Sequence, residues 1–189
     1  GAPSSARTGR IAFTSARNGT HDVWTSDADG ENPRPLTSDA DNDSLPAISP
    51  DGSRVAFVSS RGGRRGLWLV SAEGGAPRSL VPVDVVDRPS WSPDGRSLVY
   101  AAEGKDLQVG LWVVSADGGA AVAVPGVKGR SPAWSPASDL IAYFTSSESA
   151  GLRIRFTSSR GESRLDQLDV ETSVVDASAF SWSGDRLAI

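Results

Sequence analysis

The side chains able to do chemistry in this sequence are sparse, and most lack the company that chemistry needs. Histidine occurs once, at His21, so no second imidazole can share a metal ion with it. A serine-histidine-aspartate relay would need His21 beside an activated serine, and no Gly-x-Ser-x-Gly elbow is present to supply one. In its turn-rich surroundings His21 reads as a surface loop residue. The run Asp39-Ala-Asp-Asn-Asp43 alternates carboxylates as the opening of a calcium loop does, because alternate oxygens can converge on one hard cation. The sixth position of that pattern is Ser44 where glycine is required, and the twelfth is Pro50 where a bidentate glutamate is required. The run is an acidic solvated loop on this reading, and no metal, cofactor or catalytic residue is assigned.

Composition narrows the partner classes. The 189 residues carry 19 Lys and Arg against 23 Asp and Glu, a formal net charge of -4, spread along the chain. There is no basic stripe to neutralise phosphates, so nucleic acid is not an expected partner. Cysteine is absent, which removes disulfides, thiolate metal sites and thiol nucleophiles. No stretch approaches the roughly 18 uninterrupted apolar residues of a membrane helix, so membrane insertion is not expected. Methionine is absent too, and Gly1 to Ser5 has the look of a processed end, so the expectation is a natural N-terminus further upstream. One domain is the expectation for this length.

The elements that must position any site come from an internal repeat. The phrase Pro46-Ala-Ile-Ser-Pro-Asp-Gly52 returns as Pro89-Ser-Trp-Ser-Pro-Asp-Gly95, as Pro132-Ala-Trp-Ser-Pro-Ala-Ser138 and, decayed, as Phe180-Ser-Trp-Ser-Gly-Asp-Arg186. Ile48 to Trp91 is 43 residues, Trp91 to Trp134 is again 43, and the step to Trp182 is 48, which is propeller-blade length. Each unit carries an apolar-aromatic run, 11–13, 55–58, 98–100 or 140–144, and then a second run holding Trp24, Trp68, Trp112 or Ile154. Short alternating runs broken by turn residues predict antiparallel strands. Asp51-Gly52 and Asp94-Gly95 mark one hairpin, and Gly30, Gly74-Gly75 and Gly118-Gly119 mark the next. Fourth strands end near Leu36, Leu80 and Val124. Strict register makes Trp91, Trp134, Trp182, Phe57, Tyr100 and Tyr143 core residues between blades.

Trp-Ser-Pro-Asp-Gly, an aliphatic-aromatic strand, Leu-Trp and Ala-Asp-Gly-Gly together resemble the repeat of TolB-type β-propellers, over Arg10 to Ile189. The departures are Ile48 for Trp, Pro136-Ala-Ser138 for Pro-Asp-Gly, and Ile154 for Trp. The expected fold is all-β, a propeller of four-stranded antiparallel blades, about four of them, at 10–38, 45–81, 88–125 and 131–168, with a further or closing strand in 178–189. The first unit starts at its second strand, at Ile11, with no inner strand ahead of it. A C-terminal strand at 180–183 could complete that blade and close a four-bladed ring, although TolB-type rings resemble six or more blades. Arg186 to Ile189 instead reads as the start of another second strand, which favours a partial array. Pairing of two copies through exposed terminal blades, giving a homodimer, is the alternative.

The informative polar positions lie two residues before each Pro-x-Trp phrase, at Ser44, Asp87, Arg130 and Ser178. They vary while their scaffold repeats, and loops on a rigid frame can carry recognition without cost to the core. With Asp43, Arg88 and Asp176 nearby, they are expected to line the mouth of the central channel and present mixed charge to a polar ligand, a protein or a peptide. Solvated loops with weak local ion pairs are the plain alternative. The resemblance implies a periplasmic or extracellular, non-catalytic scaffold that binds proteins, as the TolB propeller docks to envelope lipoproteins. The rival readings are the substrate-gating propeller of a prolyl oligopeptidase-like or tricorn-like peptidase, and the extracytoplasmic sensor of a receptor kinase.

Overall fold

The computed structural model describes residues 4–5, 9–17, 19–39, 41–85, 87–104, 108–147, 151–161, 168–169, 181–183 and 186–188. Among them the chain forms four successive four-stranded antiparallel sheets and one two-stranded hairpin. The first blade is β1 (Ser4–Ser5), β2 (Arg10–Ser15), β3 (Asp22–Asp27) and β4 (Arg34–Pro35); the second is β5 (Asp43–Ile48), β6 (Arg54–Ser59), β7 (Gly66–Ser71) and β8 (Arg78–Val81). The third is β9 (Ser90–Trp91), β10 (Ser97–Glu103), β11 (Val109–Ser115) and β12 (Val122–Lys128). The fourth is β13 (Arg130–Trp134), β14 (Ile141–Ser147), β15 (Gly151–Thr157) and β16 (Leu168–Asp169), and β17 (Ser181–Ser183) pairs with β18 (Arg186–Ala188). No helix among the described residues is long and apolar enough to cross a membrane.

Strand periodicity divides each sheet between two cores. In β6, Val55 and Phe57 face the first blade, where they join Ala12, Val23 and Ile48. Ala56 and Val58 face the third blade, with Leu67, Trp91, Leu98 and Tyr100. In β10 the next residues along, Val99 and Ala101, pack with Trp134, Ile141 and Tyr143. The second and third blades therefore have no core of their own and bury both faces against their neighbours. Trp91, Trp134, Phe57, Tyr100 and Tyr143 are all buried. Burial in this apolar layer pushes the Tyr100 hydroxyl up to about 12. Inner strands β1, β5, β9, β13 and β17 lie side by side in chain order.

One expectation fails at the start of the chain. Ser4–Ser5 pairs with Ala12 and Ile11, so the first blade has an inner strand of its own. The C-terminal strand is not used to complete that blade, because β17 turns back on β18. The missing signal has a physical cause: β1 contributes backbone hydrogen bonds and two small polar side chains, without the Trp-Ser-Pro-Asp-Gly phrase.

The turn of that phrase is self-supporting. The Ser49 hydroxyl donates to Asp51 Oδ1 at 2.5 Å and accepts the Arg54 amide at 3.0 Å, while Asp51 Oδ1 accepts the Ser53 amide at 3.1 Å. Ser92, Asp94 and Ser97 repeat the arrangement, with Ser92 donating to Asp94 at 2.7 Å and accepting the Ser97 amide at 2.9 Å. Gly52 and Gly95 take φ of 72° and 69°, conformations that carry strain for a residue with a Cβ. In the fourth blade Ala137 and Ser138 replace Asp-Gly, yet the Ser135 backbone amide donates to the Leu140 carbonyl at 2.7 Å and closes the turn, as the Ser49 and Ser92 amides do to Arg54 and Ser97. The nearest carboxylate stands two positions further on, where Asp139 accepts the Ser159 amide and hydroxyl across the sheet.

Polar clasps join the first three blades at this turn end. Arg10 and Arg34 both reach Glu73 at 2.7 Å, and Arg34 also donates to the Ala72 carbonyl at 2.9 Å. One repeat later Arg54 donates to the Gly95 carbonyl at 2.7 Å and lies 3.9 Å from Asp117, while Arg78 donates to the Ala116 carbonyl. At the corresponding positions of the third blade stand Ser97 and Val122.

Candidate binding site at the strand-entry loops

Registers such as Asp43 opposite Ser59, and Arg54 opposite Ser71, put the loops that enter β5, β9 and β13 at the end of the blades opposite the Ser-Pro-Asp-Gly turns. Entry into β5 and β13 is bent in the same way. The β5–β6 register shifts between Ser44 and Ala47, and the β13–β14 register between Arg130 and Ala133. Leu45 and Ser131, one repeat apart twice over, carry the bulges at φ of 55° and 52°. Two non-glycine residues held in this sparsely populated conformation re-aim the residue before them, leaving Ser44 half-buried and Arg130 exposed.

Asp87 and Arg130 are brought to one place. The Asp87 carboxylate accepts the Ser131 amide at 3.0 Å, so the entry loop of the third blade is tied to the inner strand of the fourth, next to Arg130. Arg88 is half-buried, and loss of water around its guanidinium pulls its pKa below the ordinary value. The remaining candidates, Asp176 and Ser178, lie outside the described residues.

Asp43 does not face a ligand. It is 0 % exposed, and Arg61 donates to its Oδ2 at 2.8 Å while also holding Asp39. The guanidinium of Arg61 in turn lies 5.1 Å from the centroid of Trp68 and 5.6 Å from that of Phe57, within cation–π range. Burial raises the Asp43 carboxyl, with hydrogen bonds from Ser59 and Thr37 and the charge of Arg61 acting against it. Asp22, also buried, is raised for the same first reason, against a hydrogen bond from Thr37. The expectation of Asp43 as a channel-mouth contact is therefore corrected: the carboxylate fastens the loop from beneath.

His21 is exposed, and its backbone does the work, since its carbonyl accepts the Asp43 amide at 2.7 Å. In the 39–43 run, the Asp39 carboxylate is spent on the Asp41 amide and Arg61. Among the described residues no group of three or more histidine, cysteine or acidic side chains comes together as a metal site would need. Arg61 is the residue that sequence reasoning missed. Its signal was the basic loop Arg61, Arg64 and Arg65, across the sheet end from the acidic run it neutralises.

Comparison with known proteins agrees with this architecture. A family model for the TolB beta propeller domain matches residues 1–186. The structure is similar to that of TolB from Acinetobacter baumannii, with a TM-score of 0.72 and 22% identity, over 85% of this chain and 41% of that one. For a putative TolB from Agrobacterium tumefaciens the TM-score is 0.68 and the identity 23%, over 87% of this chain and 61% of the other. A chain of a nidogen/laminin complex superposes with a TM-score of 0.74 at 13% identity, over 96% of this chain and 68% of that one. The chain thus spans between two fifths and about three fifths of the two TolB structures. Among curated proteins no sequence matches significantly.

Proposed function

Because this chain belongs to the TolB beta propeller domain family, we propose that it is a non-catalytic protein-binding module that uses the strand-entry loops as its recognition face. The observation that carries the reading is the divergence of Ser44, Asp87 and Arg130 at one repeat position, on inner strands bulged alike at Leu45 and Ser131. A constant frame with variable side chains suits recognition of a polar protein or peptide surface. Arg130 is exposed on that face, and Asp87 is fixed beside it by the hydrogen bond from the Ser131 amide. Exposed mixed charge favours fast, selective encounter more than raw affinity. An extracytoplasmic location, as the family resemblance implies, would place an envelope protein as the partner.

The test is affinity capture from a bacterial envelope extract with the wild-type chain, an Arg130→Glu variant and an Asp117→Asn control at the opposite end of the blades. Arg130→Glu is expected to reduce recovery of the captured protein at least fivefold while the control matches wild type. Equal recovery by all three removes this face from the proposal. Turnover of peptide substrates by the purified chain would overturn its non-catalytic part.

A further inference from the structure

The junction between the second and third blades has a side chain where the next junction has a space. Arg54 lies with its guanidinium 5.1 Å from the centroid of Trp91 and donates to the Gly95 carbonyl at 2.7 Å. Its charge contributes to holding the Asp51 carboxyl low. One repeat on, Trp134 takes the place of Trp91, Asp94 that of Asp51, and Ser97 that of Arg54. Between the third and fourth blades a solvent-open cavity of about 410 Å³ results, lined by Trp134, Asp94, Asp139, Ser92, Ser97 and Ser159 among others. The lining includes two carboxylates and no basic side chain. Hydrogen bonds from the Arg96 amide and the Ser92 hydroxyl hold the Asp94 carboxyl below its ordinary value.

We infer that this cavity binds the guanidinium group of an arginine side chain presented by a partner polypeptide. An indole ring beside a Ser-Pro-Asp-Gly carboxylate is what Arg54 meets within the chain, and at the next junction the same pair lines a cavity with no arginine in its wall. A guanidinium fits it better than an ammonium, because its plane stacks on an indole while its edge donates to carboxylate and carbonyl oxygens together. A polypeptide is favoured over a free ion by the neighbouring surface. Val122, 67 % exposed, is paired with Val113 across β11 and β12 and so shares the sheet face that borders the cavity. An apolar residue beside the arginine of a partner would cover it. This site is at the turn end of the blades, opposite the strand-entry loops, and does not depend on the function proposed for them.

The test follows the indole N–H signals of the six tryptophans by two-dimensional nuclear magnetic resonance of the whole chain, with the Trp134 signal assigned through Trp134→Phe. Titration with N-acetyl-arginine amide is expected to shift that signal saturably and ahead of the others, whereas the isosteric citrulline amide leaves it unmoved. A capped Leu-Arg-Ala peptide is expected to bind at least threefold more tightly than the single amino acid. Ser97→Arg, which supplies the guanidinium from within, is expected to weaken binding at least tenfold, and Ser97→Ala, which leaves the space open, to retain it. Equal response to citrulline, or undiminished binding by a folded Ser97→Arg variant, overturns the site. Equal affinity for the amino acid and the peptide overturns the polypeptide as its source.

Discussion

At the junction of the second and third blades the inner-strand tryptophan is covered by an arginine, whereas at the junction of the third and fourth the same tryptophan borders a cavity. Trp91 also donates its indole N–H to the Ala47 carbonyl at 2.8 Å, while the indole nitrogen of Trp134 has no hydrogen-bond partner in the structure. The two junctions come from one repeat and share the Ser-Pro-Asp-Gly turn, the apolar strand and the aromatic ring. They differ in a handful of side chains at the turn end, Arg54 against Ser97 and Arg78 against Val122. The apolar layer is thus enough to assemble two blades, and the polar layer decides whether the seam is sealed or open.

The tryptophans give the largest expected effect. Trp91→Ala removes a buried ring, its hydrogen bond and the seat of Arg54, and is expected to cost about 3 to 5 kcal/mol. Trp134→Ala is expected to cost less, about 2 to 3 kcal/mol, because Trp134, although as buried as Trp91, makes no indole N–H hydrogen bond and seats no arginine that its loss would release. Urea unfolding midpoints compared at equal m-value would measure the gap. Equal costs would mean that the cavity closes in solution, and the contrast between the junctions would be lost.

Gly161 and Gly118 extend the comparison to the outer edge. Both lie at the hairpin after the third strand of their blade, at φ of 83° and 99°, so alanine strains either one. At Gly118 the added Cβ meets only the end of the Arg78 side chain, at 3.7 Å. At Gly161 it would lie 2.8 Å from the carbonyl oxygen of Pro125, because the third blade's outer strand approaches by backbone where no arginine intervenes. Gly161→Ala is expected to cost about 1 to 3 kcal/mol more than Gly118→Ala, the usual penalty of forced overpacking. Thermal unfolding of the two variants side by side checks this. A smaller loss at Gly161 would show that the fourth blade can shift away and that the seam yields.

These contrasts also show what the sequence can and cannot convey. The core was legible because Trp91, Trp134, Tyr100 and Tyr143 recur at a fixed period, and burial between repeated blades demands apolar residues at fixed places. The strand β1 was not, because Ser4–Ser5 joins the sheet through backbone pairing, which leaves no trace in residue type. Among the proposed contacts, the position of Arg130 at the entry of an inner strand was readable from register. The burial of Asp43 was not, since it depends on Arg61, a residue on the neighbouring strand's far loop whose importance lies in where the sheet end brings it. The open seam was written at Ser97, but only as a missing arginine, and a loss is visible in sequence only once the intact junction beside it is known.

The smallest expected effect separates the two turns by acid. Hydrogen bonds from the Ser49 hydroxyl and from Ser53, together with the charge of Arg54, lower the Asp51 carboxyl from its ordinary 3.8 to about 2. A carboxyl depressed on folding adds stability that is complete above the unfolded value and is lost as pH falls through the folded one. For Asp51 that window runs from about pH 4 down to about pH 2. Asp94 is lowered in the same direction, first by the Arg96 amide and then by Ser92, with the Arg96 charge adding to both, but no arginine among the described residues is seated over Trp134 as Arg54 is over Trp91. Asp22 and Asp43 act oppositely, since burial raises them, and each adds stability as pH falls, in both variants alike. Asp51→Asn is therefore expected to flatten the loss of stability between pH 4 and pH 2 more than Asp94→Asn does, as read from urea midpoints across that range. Ser97→Arg should bring the response of the second turn toward that of the first, because it places over Trp134 the cation that Arg54 places over Trp91. If Asp94→Asn flattens the curve as much as Asp51→Asn in the wild-type background, the turn alone sets both carboxyls, and the arginine at the sealed junction has no electrostatic part in the difference.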